Sequence, residues 1–268
     1  MKNRILATLV LWSLVIVLPW FLGKWGAFIL IGIFGLGSYL ELIDLMSRAG
    51  RAVDRMVGIT ACAVMLLGFM VAPPWILPPY ALVSIIFAAT MIACLLNSDV
   101  GTYTSTAPPT LGSLMIITIP FGAIILMFHE TGLVLPIWVV AVTKFGDVGA
   151  LLTGMWIGKH RMAPAYSPKK TWEGLAGGVI LSILVSIAFV LLFEQWLPDS
   201  LTLLNAAWMA LFITLAGVLA DLSESAFKRE AKVKDSGNFI PGIGGFLDLS
   251  DSMMLAFPVA YFLIWLVI

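Results

Sequence analysis

Charged residues are scarce in this chain of 268 residues, because only 11% are Asp, Glu, Lys or Arg while 61% are hydrophobic. Apolar runs of about twenty residues recur along the chain, which is the length that a helix needs to cross a bilayer. No polar stretch is long enough to form a separate soluble domain, and no low-complexity linker or convincing internal repeat is present. The composition therefore excludes a soluble globular protein and predicts an all-α, polytopic transmembrane helical bundle.

Cysteine is equally scarce, with Cys62 and Cys94 each inside an apolar run. Their spacing is not that of metal-ligating pairs, so we expect both to be small core residues. The formal net charge is zero, from 15 basic and 15 acidic residues. The overall charge therefore gives no indication of an acidic partner, and no nucleic acid is expected to bind.

Nine membrane spans are predicted, at residues 5–22, 26–45, 57–75, 78–96, 112–128, 132–157, 174–196, 202–222 and 246–268. The first run is longer than a signal-peptide core and lacks a small-residue cleavage pattern, so we interpret it as a membrane helix. With the N-terminus in the cytoplasm, 13 of the 15 basic residues fall in cytoplasmic segments, the exceptions being Lys24 and Lys144. This sorting supports both the number of spans and their orientation.

The polar residues are concentrated toward the end of the chain. We therefore expect one integral membrane unit with N-terminal transmembrane helices at 1–140 and a catalytic region at 141–268 whose site faces the cytoplasm. The segment 97–111 is rich in Ser, Thr and Pro, which is typical of a connector between helices. It is predicted to be structural.

The stretch from Asp221 to Asp251 holds most of the polarity that membrane packing does not explain. Its acids are Asp221, Asp235, Asp248 and Asp251, its cations are Lys228, Arg229, Lys232 and Lys234, and its glycines are Gly237, Gly242, Gly244 and Gly245. Acids bind metal, cations bind phosphate, and glycines let backbone approach an anion. The spacing of Asp248 and Asp251 predicts one helical face, where capping of the helix is the alternative to metal binding.

Two further polar features precede this stretch. Ser167–Gly174 combines hydroxyls, Lys169, Lys170 and an aromatic residue at the predicted start of a helix, where phosphate is favoured. Its cations are equally suited to setting topology and contacting lipid head groups. Asp147 lies inside a span, three residues after Lys144, so the two either neutralise each other or form part of a site. Nearby small residues admit another helix or a ligand, namely Gly146, Gly149, Ala150, Gly154 and Gly158.

These motifs together resemble the phosphatidate cytidylyltransferases. The resemblance rests on Ser225 to Arg229, Lys234-Asp235, Pro241 to Gly245 and Asp248 to Asp251, together with the Ser167–Gly174 loop and the Asp147 helix. It is specific over about residues 143–251 and generic before them. Two positions depart from the family pattern, because Ile243 replaces a histidine and Leu249 replaces an arginine.

The resemblance implies that CTP and phosphatidic acid react to give CDP-diacylglycerol and pyrophosphate in phospholipid biosynthesis, with a divalent metal, expected to be Mg²⁺. It implies metal ligation by Asp221, Asp235, Asp248 and Asp251, and catalytic roles for Asp235, Asp248, Lys228 and Arg229. Phosphate binding is assigned to Ser167, Lys169, Lys170, Lys234, Gly244 and Gly245, with Asp147, Lys144 and Ser225 as further site members. We expect a multi-pass protein of a bacterial-type inner membrane, surrounded by lipid. The sequence does not decide whether it forms a homodimer.

Two other functions fit the sequence less well. A CTP-dependent lipid kinase would transfer the γ-phosphoryl group to an alcohol and would need a base for the hydroxyl proton. A non-catalytic transporter or scaffold would carry charges along a path, whereas the charges here cluster at one face of the membrane. The contiguous Asp-Gly-x-x-Ala-Arg opening of the CDP-alcohol phosphotransferases is absent from the sequence.

The predicted topology can be tested with single introduced cysteines. We expect cysteines at positions 51, 169 and 232 to react from the cytoplasmic side, and cysteines at Glu194 and at the C-terminus to react from the outside. Each loop connects spans of opposite direction, so the pattern depends on the number of spans. Labelling of positions 169 and 194 from the same side would contradict the nine-span scheme.

Overall fold

The computed structural model describes residue 13 and residues 17–239 and 244–267. Residues 17–22 are helical. The helices and strands that follow are α1 (Lys24–Arg48), α2 (Arg55–Val71), α3 (Pro79–Asn97), α4 (Tyr103–Thr131), α5 (Val134–Ile157), β1 (Arg161–Ala163), β2 (Ser167–Thr171), α6 (Trp172–Phe193), a 3₁₀ turn (Glu194–Trp196), α7 (Leu203–Glu230), α8 (Phe246–Ser250) and α9 (Met253–Val267). Most of the predicted span 5–22 lies outside the described residues, as do Pro241, Gly242 and Ile243.

Long apolar helices dominate the described part of the chain. Within it, seven segments are long and apolar enough to cross a membrane, namely Lys24–Arg48, Pro79–Asn97, Tyr103–Thr131, Val134–Ile157, Trp172–Trp196, Leu203–Glu230 and Phe246–Val267. Helix α2 is also apolar but has only 17 residues. The prediction of a helical, polytopic membrane protein is confirmed. The total of nine spans and the side of the N-terminus stay predictions.

Helix α4 corrects one sequence-based expectation. The predicted connector 97–111 is helical from Tyr103 onward, so α4 has 29 residues although Pro108, Pro109 and Pro120 lie inside it. Proline removes an amide donor from a helix. Hydroxyl groups of this helix bond back along it, as Ser and Thr side chains in helices commonly do. The hydroxyl of Thr110 donates to the Thr106 carbonyl at 2.7 Å, for example. The serines and threonines that suggested a turn therefore lie in a helix from Tyr103 onward.

The described chain forms two compact units. The first contains the residues up to His129 together with Phe227–Ser250, and the second contains Glu130–Ala226 together with the residues from Asp251 onward. Each unit thus combines a continuous stretch with a separate later segment. The predicted division at residue 140 follows where the polar motifs lie in the sequence, and it stays a prediction.

In the second unit, α5 and α6 pack through their glycines. A Cβ atom at Gly178 would lie 2.8 Å from the Gly146 carbonyl oxygen, and one at Gly149 would lie 2.8 Å from the Gly177 carbonyl oxygen. Backbones that approach this closely leave no room for a side chain, as is common between membrane helices. The small-residue face that the sequence predicted on α5 therefore contacts a helix.

Helix α6 starts from a hairpin. Strands β1 and β2 pair antiparallel, and the amide of Trp172 donates to the His160 carbonyl at 3.0 Å. Thr171 caps α6 by accepting a bond from the Gly174 amide at 3.1 Å. The predicted loop 167–174 is thus a strand followed by a capped first helical turn.

The glycine contact between α5 and α6 predicts a difference between two glycine substitutions. We expect Gly178→Ala to destabilise the protein by roughly 1–3 kcal/mol, because the added methyl group must displace the Gly146 carbonyl. Gly112→Ala in α4 is the matched control, since a Cβ there meets nothing within 4 Å. It should be neutral or stabilise by up to about 1 kcal/mol. Thermal unfolding in detergent measures both, and equal stability of the two variants would contradict the packing.

Candidate active site

Three carboxylates converge in the second unit. Asp221 and Glu224 lie on α7, and Asp251 lies in the turn between α8 and α9. One carboxylate oxygen from each lies within 4.8 Å of the others. Oxygens that share one Mg²⁺ lie about 2.0–2.1 Å from the ion, so small side-chain movements bring these acids to a common metal. The group can hold a metal ion.

Glu224 is the member of this group that the sequence analysis missed. Its side chain is buried, with 3% of the residue exposed. It follows Asp221 by three residues on the same helix, so both side chains lie on one face of α7. A second acid one helical turn after Asp221 was a signal, because two carboxylates at this spacing can reach one hard cation.

Cations lie beside these acids in the same unit. Lys170 Nζ is 2.6 Å from Asp221 Oδ2, and Lys144 Nζ is 3.9 Å from Asp251 Oδ1. Lys144 Nζ also lies 3.6 Å from Asp147 Oδ2. The predicted proximity of Lys144 and Asp147 is therefore present, and the pair also contacts the acid group. Membership of Lys144 and Asp147 in a functional site stays a prediction.

Ser252 joins these charged groups. Its hydroxyl accepts a bond from Lys144 Nζ at 2.9 Å and donates to Asp147 Oδ2 at 3.0 Å. Ser252 is 1% exposed. A buried hydroxyl with both a donor and an acceptor fixes the orientation of its neighbours. Ser225, on α7, lies near the limit of hydrogen bonding from Asp221, at 3.5 Å.

The two lysines of the hairpin have different surroundings. Side chains alternate along a strand, so Lys169 is exposed on one side of β2 and Lys170 is partly buried on the other. Glu173 holds the hairpin, because it accepts bonds from the amides of Lys159 and His160 and pairs with the His160 ring at 2.5 Å. Ser167 is partly buried at the start of the strand. The structure thus brings Lys170 to the acids.

The first unit holds a separate polar cluster around Asp248. Lys228 Nζ lies 2.8 Å from Asp248 Oδ1, and the side chains are only 13% and 12% exposed. Asp248 Oδ2 accepts bonds from the amides of Ser236 at 3.0 Å and Gly245 at 2.8 Å. Gly244 has a φ of 132°, and a Cβ there would press on the Asp248 carboxylate. The glycines are thus needed for the turn around this acid.

The predicted helical face with Asp248 and Asp251 is wrong. Helix α8 ends at Ser250 and α9 begins at Met253, so Asp251 lies in a turn. The Ser252 amide donates to the Asp251 carboxylate at this break. Asp248 therefore pairs with Lys228, while Asp251 joins Asp221 and Glu224.

The remaining predicted residues lie at the end of α7 and after it. Asp235 and Lys234 are exposed. Arg229 donates to the Val233 carbonyl at 3.2 Å and so closes the turn that follows the helix. Asp235 is not a member of the three-acid group in the second unit, and its role as a metal ligand stays a prediction.

The fold and the two clusters define a polytopic, helical membrane protein with acids and lysines grouped inside each of its two units. Its sequence matches the model of the Cytidylyltransferase family over residues 2–267, and the chain belongs to this family.

Similar proteins include three that are named phosphatidate cytidylyltransferase. That of Bacillus subtilis (strain 168) is 42% identical over 118 residues, which are 44% of this chain and 42% of the relative. That of Haemophilus influenzae is 38% identical over 127 residues, or 47% and 44% of the two chains. That of Synechocystis is 39% identical over 140 residues, or 52% and 45%. The chain spans about half the length of the relatives that it matches.

The acid group predicts metal binding that can be measured without substrate. We expect Asp251→Asn and Glu224→Gln each to weaken binding of Mn²⁺ by about tenfold or more, because each removes a negative charge from a hard-cation site. Asp99→Asn is the control, since Asp99 is exposed and lies outside the group. Electron paramagnetic resonance of free Mn²⁺ gives the affinity. Wild-type affinity in both variants would contradict a metal site here.

Proposed function

We propose that this protein transfers a cytidylyl group from CTP to phosphatidic acid, giving CDP-diacylglycerol and pyrophosphate. The observation that carries the proposal is the convergence of Asp221, Glu224 and Asp251 beside Lys170 in a membrane protein of the Cytidylyltransferase family. The names of the relatives support the same substrates. We place the reaction at the cytoplasmic face of a bacterial-type inner membrane, where CTP is present.

The chemistry explains why such a site needs opposite charges. An oxygen of the lipid phosphate forms a bond to the α-phosphorus of CTP, and the bond from that phosphorus to the pyrophosphate oxygen breaks. Both reactants are anions, so their approach and the charge that develops on the leaving group must be offset. The lipid phosphate is already a nucleophile, so the reaction needs no serine or cysteine nucleophile.

The acid group fits a divalent metal on its charge as well as its spacing. In the second unit the four acids Asp147, Asp221, Glu224 and Asp251 lie beside the two lysines Lys144 and Lys170, so full ionisation of all six groups would leave two negative charges. One divalent cation balances these charges. We propose Mg²⁺, held by Asp221, Glu224 and Asp251, where it would supply electrostatic stabilisation of phosphate oxygens.

Lysines of both units are proposed to bind phosphate groups. Lys170 contacts Asp221 and is placed to bind a phosphate beside the acids, while Lys169 is exposed and free to meet a lipid head group or CTP from solution. Asp248 holds Lys228 at 2.8 Å and so orients a further ammonium group. Arg229, Lys234 and the glycines Gly244 and Gly245 are proposed to contact the nucleotide phosphates.

An assay with CTP labelled at the α-phosphorus tests the proposal. Cytidylyl transfer places this label on the lipid, whereas a lipid kinase would transfer only a γ-label. Purified protein with phosphatidic acid and Mg²⁺ should therefore form α-labelled lipid. Its absence, with γ-label on the lipid or with no labelled lipid at all, would contradict cytidylyl transfer.

Within this assay, Lys170→Ala should lower kcat/KM by about a hundredfold, since it removes a charge that faces developing negative charge. Arg51→Ala is the matched control. Arg51 pairs with Glu230 at 2.8 Å, and both side chains are about half exposed. Such surface pairs contribute little, so this variant should keep nearly wild-type activity. Equal kcat/KM in the two variants at matched expression would assign Lys170 to topology or structure.

A further inference from the structure

Glu41 is a carboxylate inside the long apolar helix α1, far in sequence from every polar motif. In the first unit its Oε1 accepts a bond from the Phe246 amide at 3.0 Å. Its Oε2 accepts bonds from the Leu247 amide at 2.8 Å and from the Ser236 hydroxyl at 3.0 Å. A single side chain of α1 thus holds the backbone at the start of α8 and the segment that precedes the glycine turn.

Two glycines leave the space that the Glu41 carboxylate occupies. A Cβ atom at Gly237 or at Gly245 would collide with the Glu41 carboxylate oxygens. Two glycines therefore let the backbone surround one acid from two sides. They belong to the glycine-rich stretch that the sequence analysis assigned to phosphate, so at least these two have a contact within the protein.

Ser236 connects Glu41 to Asp248. The Ser236 hydroxyl lies 3.0 Å from Glu41 Oε2 and 2.9 Å from Asp248 Oδ2. A hydroxyl has one proton and donates to one of these acids at a time. The Ser236 amide also donates to Asp248 at 3.0 Å, and Asp248 in turn holds Lys228. The orientation of the Lys228 ammonium group therefore depends on a network that begins at Glu41.

Capping of α8 does not by itself explain why residue 41 is a glutamate. Apolar contacts already hold α1 against α8, since Phe34 and Phe246 pack edge to face with ring centroids 5.4 Å apart. The Phe246 ring also fills the space above Gly37. Placing a carboxylate in an apolar helix costs free energy. It would weaken this packing unless its hydrogen bonds hold groups that the apolar contacts do not hold. The backbone from Gly245 to Leu247 and the Asp248 side chain are what these bonds fix.

We propose that Glu41 is a positioning residue for the transfer reaction. It fixes the backbone from Gly245 to Leu247, where α8 begins, and, through Ser236, orients Asp248 and Lys228. This inference rests on the proposed function, and it gives helix α1 of the first unit a role in the reaction.

The test compares Glu41→Gln with Asp44→Asn in the α-label assay. Asp44 lies on the same helix, and its carboxylate pairs with Arg55 at the surface, where both side chains are about half exposed. Glutamine has the shape of glutamate but turns an amide donor toward backbone donors. We expect Glu41→Gln to lower kcat, per folded protein, by roughly tenfold or more with a nearly unchanged KM for CTP. Asp44→Asn should match the wild type.

A structural role alone would lower the thermal unfolding midpoint of Glu41→Gln and leave kcat of the folded protein unchanged. Ser236→Ala provides a second variant, because it breaks the connection to Asp248 and leaves the two amide contacts of Glu41. Ser236→Ala should also lower kcat. The double variant should lose less kcat than the product of the two separate fold-reductions, because both substitutions break the same network. Full kcat in Ser236→Ala would overturn the connection to Asp248 even if Glu41→Gln does not fold.

Amide hydrogen exchange separates this inference from the proposed function. We expect the Phe246 and Leu247 amides to exchange faster in Glu41→Gln than in Asp44→Asn, whatever the protein catalyses. An inactive wild-type protein would contradict the proposed function, while the exchange rates would still test the contact. An active wild type with equal kcat in Glu41→Gln and Asp44→Asn would overturn the positioning role.

Discussion

An ionised side chain inside a membrane helix must have a partner within reach, and this requirement governs the polar architecture of the protein. Lys144 contacts Asp147, Asp251 and Ser252, and Lys228 contacts Asp248. The helices can carry these charges because their partners are fixed by the fold. Under the proposed function, these lysines would bind phosphate groups and the acid group of the second unit would hold a divalent metal, which would supply electrostatic stabilisation of phosphate oxygens.

The local backbone structure determines which partners the polar side chains reach. Two residues separate α8 from α9, and this interruption gives Asp248 and Asp251 different partners although they are three residues apart. Strand alternation separates Lys169 from Lys170 in the same way. Spacing arguments that assume a continuous helix or a uniform loop fail at such points, because one extra residue turns a side chain through about 100° in a helix and to the opposite face in a strand.

Long apolar runs predicted the helices well, because membrane thickness sets their length and hydrocarbon leaves few alternatives to a helix. The same reasoning singled out Asp221, Asp251 and Lys170 as charges that membrane packing does not require, and the structure brings these three residues together. It did not find Glu224, although the residue follows Asp221 at helical spacing. Glu41 lies inside a predicted span and was also missed, and its partners could not be found from spacing because they lie about two hundred positions later in the chain. Such long-range contacts depend on the tertiary structure and cannot be predicted from the spacing of residues along the sequence.

The departure at Leu249 from the pattern of the phosphatidate cytidylyltransferases can be judged from these contacts. An arginine at this position would place a cation directly after Asp248, and leucine removes it. Asp248 nevertheless keeps a counter-charge, since Lys228 lies 2.8 Å from its Oδ1 and two amides hold its Oδ2. The acid therefore does not depend on residue 249 for its stability in an apolar helix. Leucine at this position lowers by one the number of cations that can bind phosphate. The geometry of the Asp248 cluster is set by Lys228, Ser236 and the neighbouring glycines.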